Sequence, residues 1–154
     1  MKSIALIDTS ILLELLEVPG RDSKSAEIKK QLREKQRDAR ESLILPLAAI
    51  LETGNHVGRV PDGALRRQAA KRFVDVIELA LKNQAPFVAR VPENENVSRW
   101  CSDFQEWVKP EKRELTDLSI RETWERVCDE NPGRRVYIWS LDSHLASFDR
   151  TPAL

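Results

Sequence analysis

The sequence predicts an α/β protein built on a parallel sheet with helices on both faces. Short, uninterrupted apolar runs of strand length alternate with longer amphipathic or charged segments of helix length, the pattern of strands buried on both sides. The first and last of these runs each end on an aspartate, Asp8 and Asp142, and open parallel sheets bind their ligands outside the carboxyl ends of the strands. At 154 residues the chain can bury a core without disulfides or structural zinc. Residues 1–154 are therefore expected to form a single domain, with no repeat or linker.

The elements follow in order. Ser3 to Ile7 is an apolar run that meets Asp8-Thr9-Ser10 and becomes the Leu-rich segment Ile11 to Leu16, closed by Pro19-Gly20. That order is strand, helix cap, helix and stop. Ser23 to Glu41 is strongly charged around a thin stripe of Ile28, Leu32 and Ala39, a helix with most of its circumference in water. Leu43 to Leu45 is a buried strand ended by Pro46, and a helix from about Leu47 to Val57 follows. Asp62 to Asn83 places Leu65, Ala69, Phe73, Val76, Ile77, Ala80 and Leu81 at steps of three and four, the clearest amphipathic helix in the chain. Pro86 to Val91 is a strand. Asn96 to Val108 and Thr116 to Asp129 are helices separated by Lys109-Pro110-Glu111-Lys112, and Asn131-Pro132-Gly133 ends the second. Val136 to Leu141 is the last strand, leading through Asp142-Ser143-His144 into a short helix to about Phe148.

Composition excludes several classes. Lys plus Arg and Asp plus Glu both number 25, so the whole molecule carries no bias toward nucleic acid or membrane, and any such binding needs local patches. Cys101 and Cys128 stand apart with no CxxC or His-rich partner segment, which fits free thiols in a reducing, cytoplasmic setting. The apolar run from Ile4 to Leu16 is interrupted by Asp8 and Glu14 and lacks a small-residue cleavage site, so neither a signal peptide nor a membrane span is expected.

Four acids bear on chemistry. Asp8 and Asp142 are placed either to cap helices or to ligate. Asp117 shares the inward face of its helix with Ile120, Trp124 and Val127; its simpler role is to complement the helix dipole, worth about 0.3–1 kcal/mol. Glu52 lies in Leu47 to Gly54, which has no other charge, with Ala48 and Ala49 on its face. It is either a solvated residue on the outer face or a buried carboxylate, and the latter must be paired or metal-bound. Together at one sheet edge, four acids repel unless protonated or neutralised by a cation. Oxygen-only ligands suit Mg²⁺ or Mn²⁺. The four are thus expected to converge and hold a divalent metal.

In this order, Ile7-Asp8-Thr9-Ser10, Glu52, Thr116-Asp117-Leu118 and Ser140-Leu141-Asp142 resemble the PIN-domain ribonucleases over about Ser3 to Phe148, and in particular their VapC-like toxins. The resemblance implies a three-layer α/β/α sandwich around a parallel sheet of about five strands. It implies metal-dependent hydrolysis of RNA with Asp8, Glu52, Asp117 and Asp142 as catalytic ligands. Ser140, and Thr9 or Ser10, would be supporting polar residues, Thr9 and Ser10 equally readable as helix caps. A cognate antitoxin and a homodimer are family expectations. The chain departs from the family in its extra length around Asn96 to Glu114 and in the polar Leu118-Ser119-Ile120-Arg121. A non-catalytic PIN-like binding or regulatory domain is the alternative. A phosphotransferase with Asp8 as nucleophile lacks the second acid of an Asp-x-Asp pair, because position 10 is Ser.

For RNA contact the basic candidates are Lys29, Lys30 and Arg33, with Lys24, Lys35, Arg37 and Arg40, on the charged helix, and Arg66 and Arg67, with Lys71 and Arg72, on the long one. Interleaved acids make the first group equally an ordinary solvated face. Trp100, Phe104 and Trp107 form a stripe expected to be core rather than a stacking platform. His56 and His144 are acid–base candidates that the metal mechanism does not require.

Overall fold

Side chains of the first strand point alternately into two different interiors, and this alternation sets the layering. The structure is a computed structural model describing residues 2–152. Its elements are β1 (Ser3–Ile7), α1 (Thr9–Leu15), α2 (Ser25–Arg37), β2 (Glu41–Pro46), α3 (Leu47–Gly58), α4 (Gly63–Leu81), β3 (Val88–Arg90), α5 (Asn94–Trp107), α6 (Leu115–Glu130), β4 (Arg135–Trp139), α7 (Ser143–Ala146) and β5 (Asp149–Arg150). Ala5 and Ile7 of β1 join Leu43, Leu45, Tyr137 and Trp139 in one core, closed by Ile11, Leu12, Ile28, Ala69 and Ile77 of α1, α2 and α4. Ile4 and Leu6 join Val136 and Ile138 in the other, closed by Ile120 and Val127 of α6 and Leu145 of α7. A period of two on the sheet thus produces a three-layer α/β/α sandwich.

The sheet order is β3-β2-β1-β4-β5. β1, β2, β3 and β4 run parallel, with Ser3 to Ile7 in register against Arg135 to Trp139. From β1 the chain moves outward through β2 to β3, then crosses back to place β4 on the other side of β1. The strand order therefore reverses between β1 and β4, where open α/β sheets form their binding crevice.

Several boundaries differ from the sequence expectation. The fifth strand is a two-residue antiparallel edge, Asp149–Arg150, paired with Val136 and Tyr137; the sheet is parallel except for this strand. Glu41, expected at the end of a helix, begins β2, because Ser3 pairs with it and its carboxylate accepts from the Tyr137 hydroxyl. β4 ends at Trp139, so Ser140 and Leu141 lie in the loop that follows it. In α4, Ala69, Ile77 and Ala80 are buried as the periodicity predicts, but Leu65 and Leu81 at the two ends are exposed. The Trp100–Phe104–Trp107 stripe is not core: α5 has no buried residue and packs chiefly on α6, so its aromatic face is only half covered. Cys101 is exposed, Cys128 is buried, and both are free. Among the described residues no helix is long and apolar enough to cross a membrane.

Candidate active site

Asp8 stands where β1 ends beside β4, and it is 6% exposed. Its backbone N–H donates to Trp139 O at 3.1 Å, continuing the ladder one residue past the strand. Its carboxylate is held through one oxygen. Ser10 Oγ donates to Asp8 Oδ2 at 2.8 Å, Ser140 Oγ donates to the same atom at 2.8 Å, and Ser10 N lies at 3.4 Å. Each serine also accepts a backbone N–H from the β4–α7 loop, Ser10 from Leu141 and Ser140 from Asp142, both at 2.9 Å. The two hydroxyls, 3.3 Å apart, thereby tie the loops after β1 and β4 together around Asp8. Asp8 is both the N-cap of α1 and a carboxylate at the strand-order reversal, so capping and site-building coexist.

Glu52 reaches the same place from α3. Thr9 Oγ1 donates to Glu52 Oε2 at 3.3 Å, and Thr9 itself is 5% exposed. Burial, then the charge of Asp8, then those of Asp117 and Glu114 push the Glu52 carboxyl above its ordinary range, against the opposing hydrogen bond from Thr9. Asp117, in the first turn of α6, is half-buried. Burial, Glu114, Asp8 and Asp142 raise its carboxyl in that order, while His144 pulls it down. Asp142 is exposed and caps α7, its Oδ1 accepting from His144 N at 2.8 Å.

The four acids singled out in the sequence therefore share one electrostatic neighbourhood, with Asp8 the most buried, Glu52 and Asp117 half-buried and Asp142 at the rim. They surround the site without being drawn to a point: among the described residues no three Asp, Glu, His or Cys side chains stand in a ready-made ligand arrangement. A fifth acid was missed. Glu114, the residue before α6, acts on both Glu52 and Asp117. Its only signal in the sequence was its place three residues before Asp117, where charged neighbours hide it.

Carboxylates that are held up by burial and mutual repulsion gain most from a positive charge placed among them. An all-oxygen donor set of this kind fits a hard divalent cation such as Mg²⁺ or Mn²⁺.

The histidines take different positions. His56 Nε2 lies 4.0 Å from Glu52 Oε1, and burial, then Arg21 and Arg59, lower its pKa. His144 is exposed, its ring set edge-on to Phe148 at 5.7 Å. The basic candidates lie on α2 and α4, in the layer opposite α6, except Lys24 and Arg40, which fall just outside α2 because that helix spans only Ser25–Arg37. Lys29 is paired with Glu17 at 2.7 Å, and Arg66 donates to Val60 O and Pro61 O. Lys30, Arg33 and Arg67 are exposed. Lys35 is turned inward over Tyr137 and Trp139.

No protein-family model matches the chain, and no curated protein matches it by sequence. Among solved structures it is similar to the crystal structure of Mycobacterium tuberculosis VapC20, a Sarcin-Ricin loop cleaving toxin. The two share 11% sequence identity over 93% of each chain, with a TM-score of 0.63. At that identity the likeness shows the fold, a VapC-like PIN fold.

Proposed function

We propose, from a PIN-like fold whose strand-order reversal is ringed by carboxylates, that this protein is a divalent-metal-dependent endoribonuclease acting as the toxin of a toxin–antitoxin pair. The observation that carries the reading is the gathering of Asp8, Glu52, Asp117 and Asp142 around the strand-order reversal, where burial first and then the neighbouring acids push Glu52 and Asp117 up, a charge arrangement that a cation relieves. The RNA-cleaving toxin of similar fold supports the substrate class.

Asp8, Glu52, Asp117 and Asp142 would hold the ion, with Glu114 adding negative charge at the edge. When bound, Mg²⁺ or Mn²⁺ supplies charge neutralisation at the phosphate and acidifies water for attack on phosphorus. Ser10 and Ser140 fix one Asp8 oxygen and leave the other free of hydrogen bonds from the described residues. Thr9 orients Glu52 in the same way. Raised carboxyls must lose their protons before they can ligate, so activity should rise with pH through and above the ordinary carboxylate range.

A cognate antitoxin or a second copy of the chain would bury some of the exposed apolar side chains, which include Leu51 of α3 and Val74 and Leu79 of α4. Co-expression with the product of the neighbouring reading frame tests the pairing.

The direct test is Asp8→Asn. Asn caps a helix as well as Asp does, so the fold should persist by circular dichroism while Mg²⁺- or Mn²⁺-dependent RNA cleavage falls by about 100-fold or more, the scale on which electrostatic centres act. Undiminished cleavage by this variant would sink the reading. Wild-type protein that binds neither ion by calorimetry would instead favour a non-catalytic binding domain.

A further inference from the structure

We infer that the cavity between the α5–α6 loop, α6 and α7 is a subsite for one unpaired nucleotide of the RNA substrate, immediately beside the carboxylate centre. This deepens the ribonuclease reading and rests on it. The cavity has a volume of about 210 Å³ and is walled in part by Trp107, Lys112, Arg113, Asp117, Arg121 and His144. Asp117 belongs to both places, so a ligand here lies next to the site where a phosphate would react. The cavity is too small for a duplex and admits a single base or phosphate.

A carboxylate centre repels RNA, and the strand must be held against that repulsion by positive charge nearby. Lys112, Arg113 and Arg121 supply it on the side of Asp117, where sequence reasoning placed no RNA contact. The Arg113 guanidinium lies 4.5 Å from the Trp107 ring centroid and that of Arg121 5.3 Å. Trp107 Nε1 donates to Glu114 O at 3.3 Å, which fixes the indole against the residue that leads into α6. Arg113 and Arg121 each also pair with an exposed glutamate, Glu111 and Glu125, and such surface pairs are weak enough to exchange for phosphate. Among the described residues Lys112 has no ion-pair partner. Cations grouped around an aromatic ring are the combination by which single strands are bound, phosphate by charge and base by stacking.

The experiment uses the full chain with Asp8→Asn, so that RNA binds without being cut, and a short fluorescent single-stranded oligoribonucleotide. Lys112→Ala and Arg113→Gln should each weaken binding several-fold, and each should lower the slope of log affinity against log salt by about 0.7, the loss of one phosphate contact on a single strand. Lys82→Ala, at the end of α4, is the charge-matched control and should change neither. In the otherwise wild-type enzyme the two cavity variants should raise KM and spare kcat, whereas a purely structural role for the Arg113–Trp107 contact would change thermal stability and leave the salt slope alone. Unaltered affinity and slope in both variants, or an equal loss in Lys82→Ala, overturns the subsite and leaves the ribonuclease reading standing. Cavity-dependent binding by a wild-type protein that cleaves no RNA would do the reverse.

Discussion

Asp8 receives both serine hydroxyls and a backbone N–H on a single oxygen, an arrangement that fixes the carboxylate plane without occupying both of its acceptors. Ser10→Ala and Ser140→Ala each remove one donor to a charged group and leave one loop N–H without its partner. Each is expected to cost about 1–2 kcal/mol by urea unfolding, and about 10–100-fold in divalent-ion affinity by calorimetry, as the loss of groups that orient a ligand does elsewhere. The double variant should lose less than the sum, because both hydroxyls act on one atom. At this scale the sequence was partly legible. Asp8 announced itself because an apolar strand ran directly into it, Asp142 because the last apolar run of the sequence ended on it although the strand itself stops at Trp139, and Glu52 because nothing else near it was charged. The shared role of Ser10 and Ser140 was not legible, since the atom they share is brought to them by residues 130 positions apart. Glu114 stayed hidden among the charges of Lys109 to Arg113.

α5 is packed differently from the other helices. α5 buries no residue and rests on α6, where Glu122 meets Asp103. Glu122 Oε2 is enclosed without a hydrogen-bond partner, and burial followed by the approach of Asp103 pushes Glu122 up to about 7. Burial and this contact favour the protonated form of Glu122. A carboxyl whose folded pKa is raised contributes stability that is fully present below its unfolded value of 4.5 and is lost as pH rises through about 7. Amide hydrogen exchange in α5 should therefore quicken relative to β1 between these limits, and Glu122→Gln should flatten that dependence. An unchanged profile in the variant would assign the effect elsewhere. The aromatic stripe on α5 misled the sequence reading because amphipathicity reports that a helix has a covered side, not what covers it. Here the cover is another helix rather than the sheet. β5 escaped for a related reason: two residues carry no periodicity, and only their pairing with β4 makes them a strand.

For the whole molecule, the raised carboxyls of Glu52 and Asp117 act in the same direction as Glu122, so the metal-free protein should lose stability as pH climbs above the ordinary carboxylate range. A divalent ion needs those groups deprotonated. Thermal unfolding should accordingly show a Tm increase with Mg²⁺ or Mn²⁺ that grows from acid to neutral pH; an increase of constant size would argue against binding at these acids. The three-layer architecture was legible from the alternation of apolar runs and helices, while the order of the strands was not, because a parallel crossover leaves no local mark on which neighbour a strand will take.

The sheet also partitions the interior. Among the described residues no buried side chain belongs to both cores, so the sheet backbone stands between a defect made on one side and the side chains on the other. Leu12→Ala, behind α1, and Val127→Ala, behind α6, should each cost about 1–5 kcal/mol, and together they should cost the sum to within about 0.5 kcal/mol. A pair chosen within one core, such as Leu12 with Leu45, has no such protection. Two halves that accumulate damage independently can also be repacked independently, and either hydrophobic layer could be rebuilt by substitution while the other continues to hold Asp8 in place.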